Sequence, residues 1–447
     1  MTDAMRLGRR LAELRRERDE AGPLVRRDAA SDRATLVRQS GDLACRLAQA
    51  VDGEWIHGPG GGYVRVEPPS SVLPVDRDRL AGLPDSAPPD VPLVCLDTET
   101  TGLATGAGTV AFLVGYGTWD GDRFRQVQLL MPDHADEPAM LDALAAAIPA
   151  EAWLVTYNGR GFDWPLLVSR YRMSRRAAPI HAGHLDLLPF VRRVFRHRLT
   201  DARLRTVESE LLGMDRGHDI DGWEIPGRYL DFLRGGPADP LAEVVRHNHE
   251  DVRSLARLLA HAETRLGALA DRRVAPAGDV AGLGRAYRRL GRTGEALDCL
   301  EIALEARPEP RSAVRSWAVL LTTRADAADP RKPGAQHDRD RLLVDRARLL
   351  RRLGRDDDAL AAWRDIAIGG GIWAGVGWIE VAKILEHRRR DPAGALEACG
   401  RATRITERTR FLGRRLPLLE ADLARRRRRL TRKLARSGSR VVVTVPA

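Results

Sequence analysis

Cysteine is scarce in this sequence, and what there is has no pattern. Cys45, Cys95, Cys299 and Cys399 stand far apart, without a Cys-x-x-Cys pair. That spacing argues against a disulfide framework or a zinc cluster and fits a reducing, cytoplasmic location. Long apolar runs are also missing. No segment approaches the roughly 18 uncharged residues of a membrane span. The stretch from Met1 to Glu20 is arginine-rich and acidic by turns, with no apolar core for a secretory signal. Acids disappear after Asp422. Arg425 to Arg429, Arg432, Lys433, Arg436 and Arg440 contribute nine positive charges to the formal net of +11. The basic signal therefore belongs to the C-terminal end and not to the body. Such a run is either solvated and mobile or a grip on phosphates by counterion release. Lysine is nearly absent, and the preference for arginine fits a GC-rich genome better than selection for binding.

At 447 residues, two or three domains are expected, and four regions emerge. Residues 1–90 read as a helical and loop region of unknown role. Gly58-Pro-Gly-Gly-Gly62 within it lacks the lysine and Ser/Thr of a phosphate-binding loop and reads as a turn before a short strand. Residues 91–265 alternate strands and helices. Strands are expected at Val91–Leu96, Val110–Thr118, Phe124–Met131, Trp153–Tyr157 and His184–Leu188, with helices at Glu137–Ile148 and Trp164–Tyr171. The order implies a mixed five-stranded sheet with flanking helices, an α/β fold. Residues 275–422 are helical and repetitive. Leu283, Gly284, Tyr287, Gly291, Ala296, Leu300, Ala303 and Pro308 sit where a 34-residue tetratricopeptide repeat needs small and large side chains. Ala347, Leu350, Gly354, Ala359 and Trp363 form a weaker copy, and Trp378 to Ala402 a third, with a degenerate segment at about 309–340. A generic helical domain is the plainer alternative. Residues 423–447 read as a disordered basic tail.

The chemistry centres on Leu93-Val-Cys-Leu-Asp97-Thr-Glu99-Thr-Thr-Gly102. Residues two apart on a strand point to one side, so Asp97 and Glu99 project together from an apolar strand. Two adjacent carboxylates repel unless a cation sits between them, and hard divalent cations take oxygen ligands. Alone, the pair reads as two solvated acids at a strand end. Downstream, Leu154-Val-Thr-Tyr157-Asn158-Gly-Arg-Gly-Phe162-Asp163 runs from strand to turn to helix start. Alone, Asp163 reads as a helix cap. Later still, His247-Asn-His-Glu-Asp251 places His247 and Asp251 on one helix face. Alone, that reads as a charged face.

Taken in order, these motifs resemble the DEDD superfamily of metal-dependent 3′–5′ exonucleases, with a ribonuclease H-like fold. The histidine four residues before the last aspartate is similar to its DEDDh branch. Gly102-Leu103, Thr109-Val-Ala-Phe112, Leu204-Arg-Thr-Val-Glu208-Ser-Glu-Leu-Leu-Gly213, Asp219-Ile-Asp-Gly-Trp-Glu-Ile-Pro226 and His247-Asn248 resemble the bacterial YprB-like predicted exonucleases more closely, over about residues 91–262. The resemblance implies that Asp97, Glu99, Asp163 and Asp251 hold two divalent cations, Mg2+ or Mn2+, about 4 Å apart. It makes His247 the general base, an imidazole titrating near working pH. His249 is the rival base, expected to face elsewhere. Thr100, Thr101, Asn158 and Phe162 would meet the substrate, although packing suits Phe162 as well. Asp186 reads as an outer acid or a structural one, Tyr157 and Trp164 as stacking or core residues, and Cys95 as a buried apolar side chain.

The expected activity is hydrolysis of phosphodiesters from a 3′ end of DNA or RNA, with the repeats open to a protein partner and no membrane involved. The rivals are an interaction scaffold carrying an inactive nuclease fold, and an endonuclease on the same fold.

Overall fold

A computed structural model describes residues 41–58, 61–102, 108–217, 219–306, 335–413 and 416–438. All five expected strands are present in one mixed sheet: β4 (Leu93–Thr100), β5 (Ala111–Asp120), β6 (Arg123–Leu130), β7 (Trp153–Thr156) and β8 (Gly183–Asp186). Three more extend it: β1 (Glu54–Gly58), β2 (Gly61–Val66) and the short β3 (Ser71–Val72). The order is β1-β2-β6-β5-β4-β7-β8, with β3 also paired to β6. β4 runs antiparallel to β5 and parallel to β7, and β7 runs parallel to β8. The sheet therefore begins at Glu54, upstream of the boundary expected at residue 91. That stretch supplies its edge hairpin: the short strand expected after the glycine cluster is β2, and β1 pairs with it. The sequence pattern did not announce β1, which is short and carries too little apolar alternation.

Strand β4 is central because both its faces are apolar. Leu93 and Cys95 enter one hydrophobic cluster, shared with Val252 and Leu255 of the long helix Pro240–Leu266. Val94 and Leu96 enter the other, shared with Leu141 and Leu144 of the helix Glu137–Ala147. Fully burying side chains of this kind is worth about 1.5–3 kcal/mol each. That burial fixes the strand's register and with it the direction of Asp97 and Glu99.

Beyond the long helix the described chain is helical. Hairpins form from Ala277–Arg289 with Thr293–Glu305, from Ala335–Arg352 with Asp356–Ile368, and from Ala374–His387 with Pro392–Phe411. Gly291 and Gly354 end the first helices of the first two hairpins in the left-handed region, with φ of 76° and 73°. Glycine takes that conformation without the clash of a Cβ. The small residues expected at helix contacts are buried: Ala296, Ala303, Ala347 and Ala359. Pro308 and most of the degenerate 309–340 segment lie outside the described residues. The stack is continuous with the sheet domain. A Cβ on Gly282 would fall 2.6 Å from the backbone of Val194, so helix Ala277–Arg289 lies directly against helix Leu187–Val194.

The segment expected as a disordered tail is helical as far as Gly438, within Pro417–Gly438. Leu423 and Leu430 are buried, and the carboxylate of Glu386 takes both Arg426 and Arg429. Composition pointed to a charged tail, but a sparse apolar stripe and one buried acid dock it. Among the described residues, no helix is long and apolar enough to cross a membrane.

Candidate active site

Glu99, His247 and Asp251 come together. One ligand atom from each lies within 4.8 Å of the other two. Glu99 comes from β4, and the other two are four residues apart on the long helix that crosses it. The helix can approach this closely because Asp97 pairs with Gly115 on β5. A Cβ at Gly115 would stand 2.1 Å from Asn248 Oδ1. Into that space goes the fully buried Asn248. Its Nδ2 donates to Asp97 Oδ2 at 2.9 Å, and its Oδ1 accepts from Gln128 Nε2 at 2.9 Å. Gln128 also donates to the carbonyl of Val245. Three strands and one helix thus fix a single carboxylate.

Asp163 opens the helix Asp163–Met173 but does not cap it with its side chain. Its Oδ1 accepts instead from the Thr98 hydroxyl at 2.5 Å, which answers the cap reading. The turn before it is braced by Asp186, whose carboxylate accepts from the backbone N–H groups of Asn158 (2.8 Å) and Arg160 (3.3 Å). Asp186 also caps the helix that follows it. Its hydrogen bonds all go to backbone N–H groups, and its charge also presses on Asp163. Asn158 sits at φ 70°, a left-handed position that asparagine tolerates, and is exposed at the turn.

The electrostatics record crowding. Burial, then the charges of Asp251 and Asp163, push both Asp97 and Glu99 well above the usual carboxylate range. Burial pushes Asp163 up to about 6, against the stabilising Thr98 hydrogen bond. Like charges held out of water favour the protonated form unless a cation intervenes. Carboxylate oxygens with one imidazole are the donor set that magnesium or manganese accepts, so these residues fit a hard divalent ion.

Two side chains that motif reasoning did not single out complete the site. Asp219 Oδ1 lies 2.8 Å from His247 Nδ1, while His247 Nε2 lies 3.7 Å from Asp251 Oδ2. Burial works against the Asp219 charge, but His247 and Arg216 hold it below the usual range. Arg216 meets Asp219 at 3.1 Å and contacts Glu208 and Asp251 as well. Asp219 opens a stretch that resembles the family and Arg216 falls between two such stretches, yet no helical or strand periodicity links residue 216 or 219 to residue 247. Beyond Asp219 opens a cleft of about 380 Å³, with Arg205, Arg228 and Arg246 among its lining beside Asp221, Glu224 and Glu243.

Other expected residues are placed differently. The Thr100 hydroxyl donates to the carbonyl of Gly102, and Thr101 Oγ1 accepts from the backbone of Val110. Both tie the ends of the connection after β4, and residues 103–107 lie outside the described residues. Phe162 is half-buried. The Tyr157 hydroxyl donates to the carbonyl of Ala202, and Trp164 packs against His181. His249 lies apart from the cluster, next to Glu250. Cys95 is wholly buried, as expected of an apolar side chain.

A mixed sheet with acids leaving its central strand toward a covering helix is a ribonuclease H-like domain, and residues 94–263 match the family model of the RNase_H superfamily. Over 171 residues the chain is 39% identical to the protein named "Uncharacterized protein YprB" of Bacillus subtilis (strain 168). That similarity covers 38% of this chain and 41% of the Bacillus protein, so it spans well under half of either.

Proposed function

We propose that this chain is a metal-dependent nuclease, working as a 3′–5′ exonuclease of the DEDDh type. The observation that carries the reading is the meeting of Glu99, His247 and Asp251 within 4.8 Å, beside Asp97, which is pushed up by the charges of Asp251, Asp163 and Glu99, and Asp163, whose charge pushes up Glu99. In this reading Asp97, Glu99, Asp163 and Asp251 hold two divalent cations. When bound, such ions supply an acidified water and neutralise charge at the phosphorus and leaving oxygens. The protein's own part is positional. Asn248 and Thr98 aim Asp97 and Asp163. Asp219 accepts from Nδ1–H of His247, which leaves Nε2 with a free lone pair on the side of Asp251, ready to take a proton from water. Thr100, Thr101, Asn158 and Phe162 remain the candidates for contact with the terminal nucleotide.

The helical hairpins are read as tetratricopeptide-like repeats that receive a protein partner. The exposed arginines of Pro417–Gly438 are read as a second contact to the phosphate backbone. Cytoplasmic work on DNA or RNA fits this reading.

The test is degradation of 3′-labelled oligonucleotides, single- and double-stranded, DNA and RNA, each with a free or blocked 3′ end. Loss of label that requires Mg2+ or Mn2+, and that stops in Asp97→Asn and Glu99→Gln, supports the reading. Cleavage of blocked or circular substrates would make it an endonuclease. Equal activity in wild type and variants would expose contamination and return the fold to a scaffold.

A further inference from the structure

The proposed reaction leaves Arg216 without a task, yet its placement is elaborate. It lies between Gly213 and Gly217, both in the left-handed region at φ 67° and 60°. The Asp215 carboxylate accepts from the Gly217 N–H at 2.9 Å and tightens the turn. The loop thereby sends a guanidinium inward until its side chain is only 6% exposed. There it meets three acids. Glu208 is 1% exposed and Asp219 8%, and neither belongs to the proposed ligand set. Asp251 does belong. One atom, Nη2, touches both Glu208 and Asp251 Oδ1, while Nη1 reaches Asp219 at 3.1 Å.

A guanidinium in such a place cannot relieve crowding by losing its proton. Burial opposes its charge, but Asp251 and Glu208 hold it more firmly protonated than an ordinary arginine. Its charge also draws Glu99 back toward ionisation. A divalent ion on Asp251 and a guanidinium on the same carboxylate compete for its lone pairs and repel each other.

We infer that Arg216 is a built-in counter-cation for Asp251: it neutralises that carboxylate while no metal is bound and yields this one contact when a divalent ion arrives. Glu208 and Asp219 keep the guanidinium anchored throughout. The inference rests on the pocket being a divalent-cation site. By linkage, whatever Arg216 contributes to the metal-free fold through Asp251 it subtracts from metal affinity.

The measurement is Mn2+ binding to the full chain by calorimetry, in wild type, Arg216→Met and Arg216→Lys, with thermal unfolding in chelator and in saturating Mn2+. Arg216→Met should bind Mn2+ about tenfold tighter, because a nearby positive charge in a partly buried site is gone. Its deficit in unfolding temperature in chelator should shrink by at least about half in Mn2+. Arg216→Lys, a compact charge that cannot fork between Glu208 and Asp251, should fall between. Equal or weaker affinity in Arg216→Met, with an unchanged thermal gap, would overturn the inference while leaving the metal site intact. Should Arg216→Met not fold, a Mn2+-bound crystal structure of the wild type decides. Arg216 away from Asp251 supports the inference, and Arg216 still on Asp251 Oδ1 beside the ion refutes it. A wild type that takes up no Mn2+ removes the metal reading itself, and the inference with it.

Discussion

Two regions of this molecule concentrate charge of one sign, and they handle it in opposite ways. The strand-end pocket gathers Asp97, Glu99, Asp163 and Asp251, with Asp219 and Glu208 behind them, and holds them largely out of water. The C-terminal helix gathers arginines and turns most of them outward. Arg426 and Arg429 reach back, and one acid, Glu386, takes both. Solvent screens the helix at little cost. The pocket has no such recourse, so its charges shift toward protonation or lean on Arg216. Crowding that a fold tolerates without screening points to a ligand of opposite sign, whereas crowding on an exposed face is cheap and carries less information.

The sharpest way to break this contrast is to neutralise one side of the pocket. Asp97→Asn and Glu99→Gln should each lower nuclease turnover on the order of 10³-fold or more, read from 3′-end release. On the helix, Arg428→Gln should leave turnover within about threefold on a short substrate, since it touches no reacting atom. A comparable loss from both would erase the distinction.

Packing around the pocket comes next. Gly115→Ala drives a methyl into Asn248, so stability should fall by about 1–3 kcal/mol in urea unfolding. Activity should fall with it, because Asn248 aims Asp97. The counterpart on the helix is Glu386→Ala, which deprives the buried Arg426 of an acid. Asp422 still reaches Arg426, and Arg429 is half exposed, so a loss of about 1–2 kcal/mol is expected.

The smallest effect is the most diagnostic in sign. Asp163 is raised to about 6 in the fold, against 3.8 for an ordinary aspartate. The folded state therefore holds a proton that the unfolded chain releases. That contribution is fully present below about pH 4 and is lost as pH rises toward 6, with Asp97 and Glu99 extending the loss further upward. In chelator, melting temperature should accordingly decline less steeply with rising pH in Asp163→Asn than in wild type. Identical slopes would show that the pocket's crowding is not felt by the fold.

Much of this was legible along the chain. The five core strands could be read because each is a compact apolar run bounded by turn residues, and the burial of β4 on both faces repays that pattern. Asp97 and Glu99 share a side by strand geometry, and His247 and Asp251 share a face by helix geometry. The short strand Gly61–Val66 was legible from the glycine turn before it, but its partner Glu54–Gly58 was not, since it is short and largely exposed. The docking of the arginine helix was hidden too, because its buried stripe amounts to Leu423, Arg426 and Leu430 amid solvated charge.

Local periodicity settled which acids leave the central strand and which side chains share the covering helix, because both depend on repeats of two or 3.6 residues. Their meeting was decided elsewhere. It took a missing Cβ at Gly115 to admit Asn248, and a loop between two left-handed glycines to bring Arg216 onto Asp251. It also took Asp219, 28 residues from His247, to fasten the imidazole. Those are contacts between distant segments, and only packing in three dimensions can specify them.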